Sequence, residues 1–204
     1  VKLLAFDLDN TLLKVNSAFA FAKYLHRQKI LSSFSMGLLF GIYGLHKARL
    51  LSVGTVHYWG AKILLKPENF SHLDLFLTQL LETELRPSVW CRFEQGKREG
   101  MHTLLISSSP DFLVQPIAER LGFSSWKATR YHAEGVEELL LGEDKSSMIK
   151  AFALASGWER SEVAAYSDSW LDLPMLETVG TPVAVAPDRQ LRRVARSKGW
   201  EILE

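Results

Sequence analysis

VKLLAFDLDNTLL, residues 1–13, decides how the rest of the chain is read. KLLAF (2–6) is an apolar run of strand length. It meets Asp7, skips Leu8, places Asp9 and closes on Asn10 and Thr11. Two carboxylates at the end of a buried strand are costly unless something compensates them. Taken alone, the pattern is equally a strand-end turn in which Asp, Asn and Thr cap the next segment. Partners further along the chain have to decide between the two.

Three further runs read as buried strands: TLLIS (103–107), VAAYS (163–167) and PVAVA (182–186). SWKAT (125–129) and WEIL (200–203) are weaker examples. Helical patterns lie between them. PDFLVQPIAERLG (110–122) has Pro at its start and Gly at its end, and DKSSMIKAFALASG (144–157) starts on a capping acid and closes on Gly157. This alternation predicts an α/β fold, a Rossmann-like three-layer α/β/α core with a mainly parallel sheet. Residues 15–85 break the pattern with four helical stretches in succession, and Pro87 opens a helix leading back to the sheet. The expected organisation is a core of residues 1–14 and 86–204, with an all-helical cap, 15–85, inserted after the first strand.

The chain has 204 residues, 47% of them hydrophobic, enough for one sizeable domain or for one domain carrying a smaller appendage. Its net charge of +1 says nothing about partners, but the distribution of charge does. No acid occurs between Asp9 and Glu68, while Lys14, Lys23, Arg27, Lys29, Lys47, Arg49, Lys62 and Lys66 do. The single cysteine, Cys91, permits no internal disulfide and fits a reducing cytoplasm. Asp7 and Asp9 interrupt the early apolar run, so no cleavable leader is expected. The six histidines show no zinc-binding spacing and read as structural. Arg189, Arg192, Arg193 and Arg196 read as a solvated helix face, since no aromatic platform accompanies them, and no nucleic-acid partner is expected.

In open parallel sheets, ligands sit beyond the carboxyl ends of the strands. Asp7 and Asp9, then Ser107, Ser108 and Ser109, then Asp168 and Asp172 follow three of the predicted strands. Lys145 begins the helix before the third; Lys150, well inside that helix, is its rival. Converging carboxylates repel, and a hard divalent cation such as Mg²⁺ relieves them through oxygen ligands, several waters and a substrate phosphate. The serines before Pro110 read as a helix N-terminus able to hold an anion, or as a simple cap. Lys145 adds a point positive charge. Metal, lysine and helix N-terminus around one point describe a phosphate site, with Asp7 as nucleophile and Asp9 as proton donor and acceptor. Acceleration of phosphate-monoester hydrolysis can approach ~10²¹-fold, of which acid–base work supplies about 10²–10⁴. Positioning and charge stabilisation must supply the rest.

FDLDNTLL, LLISSSP, the lysine of GEDKSS and YSDSWLDLPML resemble, in order and spacing, the four motifs of the haloacid dehalogenase superfamily of phosphatases. The helical insert directly after the first motif is similar to that of its phosphoserine-phosphatase-like subfamily. The resemblance implies Asp7 as nucleophile and Mg²⁺ ligand, and Asp9 as acid/base lending its backbone carbonyl to the metal. It also implies Thr11, Ser107, Ser108 and Lys145 as phosphate ligands, Asp168 as Mg²⁺ ligand and Asp172 acting from behind. Asp9 argues for phosphoryl chemistry, because members acting on carbon–halogen bonds lack the second acid. Ser167 stands where the fourth motif ordinarily has glycine, so a small backbone adjustment is expected there.

The expected activity is hydrolysis of a phosphomonoester through an aspartyl-phosphate, with transfer to an acceptor alcohol as an alternative and a non-catalytic phosphate-binding module as a third reading. For the substrate, the cap holds the clues. Phosphoserine phosphatases place a glutamate where Asn16 falls here, and no acid lies between 10 and 67 to pair with an ammonium. Asn16 and Arg49 are the substrate-specificity candidates. ILSSFSMGLLFGIYGL (30–45) is uncharged and, as a helix, about 24 Å long. That is short of a membrane span. It fits either the buried core of a helical bundle or a peripheral contact with an anionic membrane. A phospholipid head-group phosphate such as phosphatidylglycerophosphate and a small phosphorylated metabolite both stay open, as does the oligomeric state.

Overall fold

The computed structural model describes residues 1–48, 50–132 and 135–204. In chain order the elements are β1 (Leu3–Phe6), α1 (Ser17–Arg27), α2 (Ser33–Lys47), α3 (Val53–Leu64), α4 (Pro67–Phe70), α5 (Leu73–Glu84) and α6 (Pro87–Arg98). Then come β2 (His102–Pro110), α7 (Asp111–Leu121), β3 (Ser125–His132), β4 (Gly135–Glu138), α8 (Gly142–Ala155), β5 (Val163–Ser167), α9 (Leu173–Thr178), β6 (Thr181–Val185), α10 (Arg189–Lys198) and β7 (Glu201–Leu203).

The strands form one sheet in the order β4-β3-β2-β1-β5-β6-β7, parallel throughout except for β4. β1 is central and buried on both faces. Leu4 and Phe6 face the layer containing α6 and α7, where Phe6 stacks on Tyr166 at 4.5 Å. Leu3 and Ala5 face α8, α9 and α10. A strand buried on both sides is apolar without alternation, which is why KLLAF carries no period-two pattern. The chain passes from β1 to β2 on one side and later returns to β5 on the other. The carboxyl ends of these three strands therefore border one crevice.

Every element described between β1 and β2 is helical. The two chain segments that lead into and out of α1–α5 run side by side. Leu13 and Leu85 form an antiparallel bridge, the Lys14 N–H donates to the Glu84 carbonyl at 2.8 Å, and the Arg86 N–H donates to the Leu12 carbonyl at 2.8 Å. α1, α2 and α3 begin on Asn16, Ser32 and Ser52, whose side chains accept from backbone N–H groups three residues on. The stretch expected as one helix from 30 onward starts only at Ser33, because Ser32 caps it. Among the described residues no helix is long and apolar enough to cross a membrane.

Two boundaries differ from expectation. Ser107–Ser109 lie within β2, in extended backbone, and α7 begins only at Asp111. The serines are therefore not at the helix N-terminus. α8 begins at Gly142, and Asp144 caps it from inside, accepting from the Leu141 N–H at 2.9 Å. Gly142 starts α8 because its α-carbon lies against the loop carrying Asp172; a Cβ there would sit 1.9 Å from the Leu171 carbonyl oxygen. Gly142→Ala is expected to lower stability by about 1–3 kcal/mol through overpacking, read from the urea unfolding midpoint. A midpoint equal to that of the wild type would show that this close approach is not fixed.

Candidate active site

The turn after β1 sets the first two carboxylates. The chain coils through Leu8–Leu12, with the Leu12 N–H returning to the Asp7 carbonyl at 3.3 Å and the Leu13 N–H to the Leu8 carbonyl at 2.9 Å. Asn10 takes a left-handed conformation, φ 58°, which Asn tolerates better than most residues. Arg86 holds the turn from outside: Nε donates to the Thr11 carbonyl at 3.1 Å, and its terminal nitrogen to the Asn10 carbonyl at 2.9 Å.

Asp7 is buried against Lys145. The Lys145 ammonium, 2% exposed, donates to Asp7 Oδ1 at 2.7 Å and to Asp172 Oδ2 at 2.8 Å. Lys150, the rival lysine, is exposed. Ser167, where glycine is usual, donates its hydroxyl to Asp172 Oδ2 at 2.7 Å. The serine is absorbed as a hydrogen-bond donor at the end of β5, with no left-handed backbone there. The Thr11 hydroxyl lies 3.2 Å from both Asp7 Oδ2 and Asp168 Oδ1 and accepts from the Asp168 N–H at 3.0 Å. Thr11 is fully buried and links the ends of β1 and β5.

Asp9 points to the start of α1. Its carboxylate accepts from Asn16 Nδ2 at 2.7 Å, from the Ser17 N–H at 2.8 Å and from the Ser109 hydroxyl. Asn16 Oδ1 in turn accepts from the Phe19 N–H, capping the helix. Ser109 reaches Asp9 across 100 residues and Ser17 through its backbone N–H, so no local pattern marks either as a partner of Asp9.

The electrostatics follow from crowding. Burial pushes Asp7 up to about 8 against the pull of the Lys145 ammonium, with the Asp172 and Asp168 carboxylates pushing the same way. Burial, with Asp172 repulsion behind it, raises Asp168 to about 6. Burial also raises Asp9, opposed by the bonds from Ser109 and Ser17. Burial alone would lower Lys145, but Asp172 and Asp7 hold it above the usual lysine range. Four carboxylates share one ammonium in a buried space. That all-oxygen donor set with surplus negative charge suits a hard divalent cation. Among the described residues no three carboxylate, imidazole or thiol groups gather tightly enough to hold an ion by themselves. A cation between Asp7 and Asp168 would complete its shell with backbone oxygen and water, as Mg²⁺ does.

A cavity of about 330 Å³ is lined by Asp7, Asp9, Ser107, Ser108, Lys145, Asp168 and Asp172. Asn16 also lines it; Thr11 does not. Arg49 lies outside the described residues. The far wall brings in His46 and His57, which the sequence reading had set aside as structural. His57 Nδ1 lies 2.5 Å from the Tyr131 hydroxyl, joining α3 to β3. No spacing in the chain announces a pair 74 residues apart.

The chain is similar in sequence and fold to known proteins. The family model for haloacid dehalogenase-like hydrolases matches residues 4–177. A protein of Mycobacterium tuberculosis named as a probable phosphatase is 31% identical over 97% of this chain and 73% of its own length. A phosphoserine phosphatase of the same organism is 29% identical over 97% of this chain and 68% of its own length. The crystal structure of a Bordetella pertussis protein of unknown function superimposes with a TM-score of 0.87 at 22% identity, covering 99% of this chain and 97% of that one.

Burial, with His46 adding repulsion, lowers His57 from 6.5 to about 4. It is thus neutral in the fold but charged in the unfolded chain between those values. Its contribution to stability is present above pH ~6.5 and is lost as pH falls toward about 4. Relative to His57→Gln, the wild type is expected to lose on the order of 3 kcal/mol at most across that window, measured by urea unfolding at each pH. Parallel stability profiles for the two proteins would show that the ring is not held neutral.

Proposed function

The chain belongs to the haloacid dehalogenase-like hydrolase family, in its phosphoserine-phosphatase-like branch, and from that premise we propose that it is a Mg²⁺-dependent phosphatase acting on a small phosphomonoester through an aspartyl-phosphate. The observation carrying this reading is that Asp7, Asp9, Ser107, Lys145 and Asp168, from four separate parts of the chain, line one cavity.

The roles follow from the partners. The Asp7 carboxylate attacks phosphorus, and the ester P–O bond breaks as the Asp–O–P bond forms. Asp9 gives its proton to the departing alkoxide and then takes one from the water that hydrolyses the acyl phosphate, releasing inorganic phosphate and restoring Asp7. Burial favours the acid form of Asp9, while the Asn16, Ser17 and Ser109 donors favour the carboxylate. A group that must both give and take a proton needs such a balance. Lys145 neutralises the charge of the transferring group, Ser107 and Ser108 bind it, and Asp172 holds Lys145 in place. We assign Thr11 to positioning Asp7 against Asp168 rather than to direct phosphate contact. Asp7, Asp168 and the Asp9 backbone carbonyl would hold Mg²⁺, which when bound offsets the surplus negative charge. Residues 15–85 act in this reading as the cap over the core of 1–14 and 86–204, their paired crossings at Leu13 and Leu85 forming the neck.

Asp7→Asn is expected to abolish hydrolysis of 4-nitrophenyl phosphate while leaving the circular dichroism spectrum unchanged. Chelation should remove wild-type activity and Mg²⁺ restore it. Activity surviving either treatment would defeat the assignment.

A second reading, action at a membrane on a phospholipid head group, is favoured by one feature. Phe34, Phe40, Leu45, Leu50, Tyr58 and Trp59 are exposed on α2, α3 and their connection, beside the acid-free basic stretch. Basic charge repels a second copy of the same surface and attracts anionic lipid. Co-sedimentation with phosphatidylglycerol vesicles is expected to weaken with salt and with Lys23→Glu and Lys29→Glu; absence of binding at low salt would remove this reading.

A further inference from the structure

Opposite the carboxylates, the cavity wall changes character. Phe19, Leu39, Val56, Leu64 and Phe112 make it apolar, interrupted by the polar atoms of Asn16, His46, His57 and the tyrosines. Among the described residues, the apolar part of the wall offers no lysine, arginine or unpaired carboxylate to a leaving group. Among the described residues Lys145 is the one lysine or arginine lining the cavity, and it is bound to Asp7 and Asp172. Asp188 also reaches the wall, but its carboxylate accepts from the N–H groups of Trp170 at 2.7 Å, Gln190 at 2.9 Å and Leu191 at 2.8 Å. The other acids belong to the phosphate end. An ammonium or carboxylate carried in by the leaving group would be desolvated without a counter-charge.

Neutral hydrogen bonding, by contrast, is built in. The His57 ring and the Tyr131 hydroxyl are within hydrogen-bond distance, and Tyr131 sits edge-on to Phe112 with ring centroids 6.3 Å apart. Whichever of the two donates, one donor or acceptor of the pair stays available to a ligand. His46 Nδ1 donates to the Leu51 carbonyl at 3.0 Å, which fixes the ring's orientation at the cavity wall. His57 and Tyr131 join α3 of the cap to β3 of the core, so they lie where the leaving group of a bound phosphate ester must be accommodated.

We propose that His57 and Tyr131 form a leaving-group subsite that selects phosphate esters of uncharged, largely apolar alcohols bearing one neutral hydrogen-bonding group. The proposal rests on the phosphatase reading above. The cavity volume of about 330 Å³ suits an alcohol of modest size.

The test uses the whole chain with Mg²⁺ and five esters: 2-(4-hydroxyphenyl)ethyl phosphate, 2-phenylethyl phosphate, phosphoserine, phosphoethanolamine and phosphoglycolate. The hydroxyl-bearing neutral ester is expected to have the highest kcat/KM, about tenfold or more above the three charged esters. Its advantage over 2-phenylethyl phosphate is expected to fall about tenfold in Tyr131→Phe and in His57→Ala, through KM rather than kcat. Tyr131→Phe keeps the ring against Phe112, so the comparison stands even if His57→Ala fails to fold. Charged esters hydrolysed as well as the neutral ones, or an unchanged preference in Tyr131→Phe, would overturn the subsite while leaving the phosphatase reading intact. No Mg²⁺-dependent hydrolysis of 4-nitrophenyl phosphate by the wild type would instead overturn that reading, and the subsite with it.

Discussion

A buried lysine between two carboxylates is the constraint on which the site depends. Lys145 Nζ lies 2.7 Å from Asp7 and 2.8 Å from Asp172, with all three side chains shielded from solvent. Breaking a buried pair by removing one partner typically costs about 3–5 kcal/mol, because a charge is left without compensation. The triad therefore ties β1, α8 and the loop after β5 to one geometry. Its charge does not close: Asp9 and Asp168 add two further acids. The surplus makes the protein's own structure complementary to a cation and to a group that can share it.

The other elements serve that geometry. β1 must be central, since only a central strand delivers Asp7 to a crevice bordered by β2 and β5. The left-handed Asn10 turns the chain so that Asp9 leaves Asp7 and meets the start of α1, where the Ser17 N–H and Asn16 amide receive it. Asp9 is thereby anchored to the start of α1, while Asp7 is anchored to Lys145 of α8. A shift of α1 against the sheet would change Asp9's surroundings more than Asp7's.

Much of this was legible in the chain. The parallel sheet, the run of helices after β1 and the convergence of Asp7, Asp9, Ser107 and Asp168 were readable, because these four residues adjoin strand ends and strand ends are marked by local composition; Lys145 was readable only from the start of a helical pattern, α8. Ser107–Ser109 were misplaced onto a helix terminus because Pro110 is a strong local signal, whereas the pairing of Ser107 and Pro110 with β3 extends the strand past the serines. Ser167 looked like a defect and is a donor to Asp172. Such a role depends on a partner five residues on whose side chain turns back only in three dimensions.

Sequence by itself determined the fold class, the order of the elements and the chemical types gathered at the strand ends. These depend on short-range patterns: apolar runs, caps, and acids adjoining strands. Tertiary structure alone decided that Thr11 links Asp7 to Asp168, that Asp9 is held by Asn16, Ser17 and Ser109, and that His57 meets Tyr131 across the cavity. Those pairings join residues from different elements. Their distances are set by how helices pack on the sheet, a property of the whole chain that no local window contains.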